Sequence, residues 1–319
     1  ATVSAKLNST PILAEADALL QTSPEQALQV TERYLMQRRL SDSTNRPHSN
    51  NDADRSIRTP LNTVHAHLIA AKARGALGHR EASWEALKKA KSVAQSNELT
   101  RASLEVTLAE TSLLYSLDNN SDAAQALIQA LLAELSLLDD IQSSRIERLR
   151  FEASLLNAII VTTQEDEQQS IAQFNAALKA LGETPDLKHK VRYQIALGNY
   201  FLSINSYERA LSELLSAYWQ ASENDFAVQI ASANISLTKL YQQQGVLDKA
   251  LQHANQAAEF YEHYDLKRGL SETQTLLAAI YSQQGRYNFA LVHYFNALEL
   301  ETMLSRTVNI ADINVAIAN

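Results

Sequence analysis

Along most of this chain, apolar residues recur every three or four positions, the spacing of a helix with one buried face. In residues 11–40, Ile12, Ala16, Leu19 and Leu20 form one stripe, and Ala27, Leu28, Val30, Tyr34 and Leu35 form the next. Pro11 suits a first helical turn, and Ser23-Pro24-Glu25 reads as a cap and restart. The spacing predicts a helical hairpin. Residues 41–60 then break the pattern: Ile57 is their only strongly apolar member, so they read as a flexible, exposed loop. Long surface loops cost little stability, which makes a tolerated insertion the plain reading and a partner-binding lid the functional one. Helical pairs resume at Leu61, over 61–77 with 80–96, 98–117 with 121–138, and 142–163 with 166–181. Three clearer pairs cover 188–222, 227–262 and 267–302.

The later pairs superimpose at a spacing of 40 residues. Ser170, Ala210, Ala250 and Ala290 fall in one column, and Ala177, Ala217, Ala257 and Ala297 in another. Glu165, Asn205, Gly245 and Gly285 form a turn column, with Val161, Phe201, Tyr241 and Tyr281 four residues earlier. A fixed period of this length means stacked supersecondary units, each burying its apolar face against the next. The predicted architecture is all-α, built of stacked antiparallel helix pairs. Three segments follow: a hairpin and loop (1–60), degenerate pairs (61–182), and clear repeats (183–319). Seven Gly and five Pro are few for 319 residues, in keeping with long helices and short turns.

These columns resemble the tetratricopeptide repeat, and the resemblance implies that the stacked pairs wind into a right-handed superhelix, an α-solenoid. The chain carries Gly245-VLDK-Ala250-LQHANQ-Ala257 and Gly285-RYNF-Ala290-LVHYFN-Ala297, with Ala196-Leu197-Gly198-Asn199-Tyr200-Phe201 as a matching first half. Tyr207 and Tyr287 stand where that family often has an aromatic. The family's usual repeat is about 34 residues, so both helices are expected to be lengthened here. Gln194, Asn234 and Gln274 stand where the family often has Trp.

The resemblance implies a binding groove lined by the first helices of successive pairs. Residue by residue it assigns Arg192, Ile195, Asn199, Leu202 and Ser203 from one pair. The next contributes Ser232, Ile235, Lys239, Gln242 and Gln243, and the last Glu272, Thr275, Ala279, Ser282 and Gln283. Asp312 and Val315 follow from the terminal helix. Some family members clamp a peptide carboxylate with Lys, Arg and Asn; Arg192, Asn199 and Lys239 are the counterparts here. The implied partner is a protein or peptide.

Elongated repeats of this kind are also similar to the sensory regions of bacterial signalling proteins. There they precede a transmembrane helix and an output domain such as a diguanylate cyclase or histidine kinase. An extracytoplasmic sensor, periplasmic in location, is therefore expected, with a cytoplasmic regulator or adaptor as the alternative. Residues 307–319 repeat only the first half of a unit, and Ala1 is not Met. Both point to a natural chain that extends beyond this segment, with any membrane contact made through outside segments. The apolar residues Ile310, Ile313, Val315 and Ile317 also raise a homodimer through the C-terminal helix, or an assembly scaffold.

Composition and motifs argue against catalysis. The net charge is −8 with no basic stripe, which disfavours nucleic acid as a partner. With no Cys, thiol chemistry and Cys-ligated zinc are excluded. His65 and His67 are two apart on a predicted helix and face different ways. Asp118-x-Asn120-x-Asp122 resembles the opening of a calcium loop, but Ala123 and Gln129 replace its required Gly and closing Glu. A capped helix-joining turn is the reading there. Glu165-Asp166-Glu167 reads as helix-dipole compensation. No catalytic residue, metal or cofactor is assigned.

Overall fold

The structure, a computed structural model, describes residues 11–43, 52–138, 143–162, 166–182, 186–304 and 307–318. Among the described residues there are fifteen helices and no strand. They are α1 (Pro11–Leu19), α2 (Pro24–Ser43), α3 (Asp52–Ala76), α4 (Arg80–Ser96), α5 (Thr100–Ser116), α6 (Ser121–Ser136), α7 (Ser144–Val161) and α8 (Glu167–Leu181). The series continues with α9 (Leu187–Ser203), α10 (Tyr207–Glu223), α11 (Ala227–Gln243), α12 (Leu247–His263), α13 (Lys267–Gln283), α14 (Tyr287–Met303) and α15 (Thr307–Ala318). They fall into two compact units, residues 1–131 and 132–319. The sequence boundaries at 60 and 182 mark where the repeat becomes legible; the packing divides elsewhere.

The first unit departs from expectation at one place. Helix α2 runs on through Ser43 and α3 starts at Asp52, so 41–43 and 52–60 are helical rather than loop. Residues 44–51 of the expected loop lie outside the described residues. Pro60 sits inside α3. A proline removes one helical hydrogen bond without excluding a helix, and polar composition alone does not decide conformation. The core of this unit is built from Leu13, Ala16, Tyr34, Ala66 and Ile69, and from a second cluster around Val64, Leu68, Ala86, Leu87 and Ala90.

In the second unit, α7 packs on α8, α9 on α10, α11 on α12 and α13 on α14, and the first helices of successive pairs also touch. The six helices α9–α14 are each 17 residues long and are joined by three-residue turns. Helix plus turn therefore repeats every 20 residues, and the 40-residue sequence period is two such steps. Each turn places one residue at positive φ: Asn205 (57°), Asp225 (54°), Gly245 (73°), Asp265 (49°) and Gly285 (72°). The residue after it bonds back to the sixth residue of a closing ring: Ser206 N to Phe201 O (2.8 Å), Phe226 N to Ala221 O (2.9 Å) and Val246 N to Tyr241 O (2.8 Å). That is the helix-ending motif of a left-handed residue. The same residue's carbonyl accepts the first bond of the next helix, as from Ala210 N to Ser206 O at 2.9 Å. One residue thus finishes one helix and caps the next.

The small-residue columns let the paired helices approach closely. Ala210, Ala217, Ala250, Ala257 and Ala297 are completely buried. A Cβ at Gly198 would stand 2.7 Å from Leu214 Cγ and Cδ2. The aromatics fill the spaces between pairs, with Phe174 at 5.5 Å from Tyr200 and 6.1 Å from Tyr193. Helix α15 docks on α14 through Ile313, Ala316 and Ile317 against Ala290, Tyr294 and Ala297. Of the four apolar residues expected to remain uncovered on it, Val315 is 61% exposed.

Two glycine variants separate crowding from backbone conformation. Gly198→Ala drives a methyl into Leu214 and is expected to lower unfolding free energy by about 1–3 kcal/mol. Gly245→Val meets open space, so its expected loss of about 1–2 kcal/mol comes from positive φ. Asp265→Gly, at an equivalent turn, is expected to be neutral or stabilising. Urea unfolding of the three variants tests this, and an unaffected Gly245→Val would contradict the turn assignment.

Candidate functional site

Arg192, Asn199 and Ser203 lie seven and four residues apart on α9, a spacing that keeps them on one helix face. The same columns supply Ser232, Lys239 and Gln243 on α11, and Glu272 and Gln283 on α13. Because these helices pack side by side, the columns run across three neighbouring helices. Asn199, Ser203, Gln243, Gln283 and Glu272 are exposed; Arg192, Ser232, Lys239, Gln242 and Thr275 are half-buried. Ile195 and Ile235 are buried and form the floor. Ser203, Ser232 and Thr275 return their hydroxyls to their own helices, to Tyr200 O (2.7 Å), Val228 O (2.9 Å) and Ser271 O (3.0 Å). The face therefore presents side-chain amides above an apolar floor.

The two cations that the resemblance offered as a carboxylate clamp are each engaged within the chain. Arg192 donates to both carboxylate oxygens of Glu152 on α7, at 2.5 and 2.8 Å. Glu152 occupies Arg192's own column one repeat earlier. Burial alone would raise the Glu152 pKa, but the Arg192 hydrogen bond and charge outweigh it and hold the carboxyl below its ordinary range. His189 Nε2 adds a contact at 3.6 Å. Lys239 donates to Glu272 Oε1 at 2.6 Å. Both pairs cross between first helices. An incoming carboxylate would have to displace Glu152 or Glu272 to reach a cation.

Near Lys239 and Glu272 stands Tyr261 of α12, a residue that no groove column contains. Its ring covers Gly269, where a Cβ would lie 2.3 Å away, and its hydroxyl hydrogen-bonds with Ser232. Burial pushes its pKa up to about 12, with the Glu272 charge adding to the effect. It remains a neutral phenol. Sequence reading missed it because its partners lie on other helices.

Beneath the face runs a second ladder. The amides standing where the family often has Trp are buried and hydrogen-bonded across their own pair. Asn234 Oδ1 meets His253 Nδ1 at 2.8 Å, and Gln274 Oε1 meets His293 Nδ1 at 2.6 Å. Gln194 donates to Ser216 Oγ at 2.9 Å and hydrogen-bonds Glu213 in the same column as the two histidines. His253 stacks on Tyr241 at 5.5 Å and 11°, and His293 on Tyr281 at 5.2 Å and 10°. Lys249 and Arg286 lie over these tyrosines. An amide, an imidazole and a phenol ring together take up the place of the missing indole. The 40-residue recurrence of His253 and His293 was the available signal.

Other singled-out residues serve the scaffold. Asp118 accepts from Arg80 Nε (2.7 Å) and Trp84 Nε1 (3.3 Å), and Asn120 Oδ1 accepts from Ala123 N (3.1 Å) as a helix cap. Asp166 caps α8 by accepting from Gln169 N at 2.9 Å. His65 turns to Glu105 at 3.2 Å, whereas His67 lies among Lys89, Arg39 and Arg74. Burial and those cations lower the His67 pKa to about 4. Among the described residues, no three His, Asp or Glu side chains cluster to hold a metal ion, and no helix is long and apolar enough to cross a membrane.

No protein-family model matches the chain, and no curated protein is similar to it in sequence. Solved structures are similar in fold. A Rap protein complexed with Competence and Sporulation Factor matches at a TM-score of 0.60 and 13% identity, over 97% of this chain and 96% of that one. BtubC (BKLC) from P. vanneervenii matches at 0.51 and 17%, over 69% of this chain and 88% of that one. A signal transduction ATPase with numerous domains and a tetratricopeptide repeat sensor, from Pyrococcus horikoshii, matches at 0.52 and 12%. That match covers 98% of this chain and 54% of the other. The fold is the tetratricopeptide type, as the 40-residue columns implied.

The histidine ladder makes stability depend on pH. Burial holds His253 and His293 below the ordinary value of 6.5, with Lys249 reinforcing this at His253. Below about pH 6.5 the unfolded chain takes up protons that the fold resists, so stability falls as pH falls. His189 and His67 shift in the same direction. Replacing both ladder residues, His253→Gln with His293→Gln, is expected to flatten the decline in urea midpoint between pH 7 and pH 5.5. An unchanged slope would remove these two histidines from the effect.

Proposed function

We propose that the first-helix face of α9, α11 and α13 binds an extended peptide or a segment of a partner protein, and that the chain is a non-enzymatic binding domain. The observation that carries this is a set of exposed amides on packed first helices, Gln243 and Gln283 in one column with Ser203, and Asn199 one turn before Ser203 on α9. Side-chain amides both donate and accept, so they match the alternating donors and acceptors of a peptide backbone. The ion pairs Arg192–Glu152 and Lys239–Glu272 flank these amides and would select against ligands unable to exchange with them. Support comes from the Rap protein solved with Competence and Sporulation Factor bound, on the same type of fold.

The wider reading is an extracytoplasmic sensing region of a bacterial signal-transduction protein, and the alternative is a cytosolic regulator or adaptor. The signal transduction ATPase with a tetratricopeptide repeat sensor supports the sensing role. A ligand that prefers one stacking of successive pairs would shift the population of stackings. Digestion of the native protein by protease added to spheroplasts of its cells is the expected result for the sensor; protection until the inner membrane is lysed moves the reading to the regulator.

Panning a random phage-displayed peptide library on the chain tests the face directly. Enriched peptides are expected to bind the triple variant Asn199→Ala, Gln243→Ala, Gln283→Ala at least about tenfold more weakly. Peptides that bind both proteins equally would place the binding surface elsewhere.

A further inference from the structure

The outer face of α14 differs from that of the two second helices before it. Phe289 replaces Arg209 and Lys249, Val292 replaces Ser212 and Gln252, and Phe295 replaces Leu215 and Asn255 in the same columns. Phe289 is 52% exposed, Val292 56% and Phe295 55%, and Tyr287 beside them 65%. From Tyr287 to Leu298 the sequence has no Asp, Glu, Lys or Arg. These side chains leave roughly 500 Å² of apolar surface in water, near the upper end for a monomer and more than half of the ~800 Å² each partner buries in a stable interface.

The charges at the two ends identify the occupant. Arg286 caps the start of α14, fixed by stacking over Tyr281 (4.8 Å) and Phe289 (4.3 Å), and the exposed Glu299 stands near its end. This order opposes the helix dipole, which favours acids first and bases last. Helices α10 and α12 follow the dipole with Glu208 and Asp248 in their first turns; α14 has neither an acid in its first turn nor a base in its last. A second, antiparallel α14 makes the arrangement complementary. With a two-fold axis between Val292 and His293, Arg286 meets Glu299 of the partner subunit at both ends, about 20 Å apart, and the charge-free stretch pairs with itself. We infer that α14 is a self-pairing surface through which two copies of this chain associate.

Sedimentation of the 319-residue chain over a concentration series tests this. A reversible dimer is expected. Phe295→Asp should raise its dissociation constant at least about tenfold with helicity unchanged by circular dichroism. Arg286→Glu and Glu299→Arg should each weaken it, and the double variant should regain most of the lost affinity. A chain that is monomeric at every concentration would overturn the inference. So would a dimer indifferent to Phe295→Asp, a charge swap without recovery, or a dimer lost on Val315→Asp alone, which would place the contact on α15.

Discussion

One residue in each turn, held at positive φ, sets the register of the clear repeats. Between 186 and 304 the chain has only three residues in which to end one helix, reverse and begin the next. The solution recurs at Asn205, Asp225, Gly245, Asp265 and Gly285. With turn geometry fixed, helix length is fixed too, since a helix longer or shorter by one residue rotates its buried face by about 100°. The alanine columns can meet at full burial only because each helix keeps its length of 17. Packing, face and site all descend from that constraint.

The same constraint explains what the sequence shows and hides. Glycine stands at alternate turns, Gly245 and Gly285, so the eye finds a 40-residue unit. The intervening turns use Asp225 and Asp265, whose short polar side chains also tolerate the left-handed region, and the 20-residue step stays concealed. Segment 41–60 misleads for another reason: its polar composition suggests a loop, yet a helix beginning at Asp52 runs through Pro60. The acidic start of α8 and the separation of His65 from His67 are readable, because both follow from local spacing; that Asp166 also caps the helix is seen only in the structure.

Helix periodicity sets which residues share the candidate face, but not how their side chains pair. Two 40-residue columns place Arg192 and Lys239 on the first-helix face, since helix periodicity alone decides that. It cannot show that Arg192 is held by Glu152, because Glu152 lies in a pair whose repeat signature has decayed. Nor does a column reveal Tyr261, which reaches Ser232 and Gly269 across helix boundaries. The amides at 194, 234 and 274 were noticed as an absence of Trp. Their role depends on residues 19 positions later, Glu213, His253 and His293, on the partner helix.

The polar contacts divide by burial, and the division bears on mechanism. Bonds within a pair, such as Asn234 to His253 and Gln274 to His293, lie in the interior, where leaving either partner unsatisfied is costly. The Lys239–Glu272 pair between first helices is half-exposed, and such pairs contribute little net stability; the bidentate Arg192–Glu152 pair is more enclosed. At Lys239–Glu272, therefore, a small adjustment between successive pairs disturbs less than breaking an amide–imidazole bond inside a pair would. Under the proposed function, a ligand across these amides would touch three first helices at once, and so act on the contacts between successive pairs. The stacking of successive pairs, and not the inside of any one pair, is then the coordinate that binding would move.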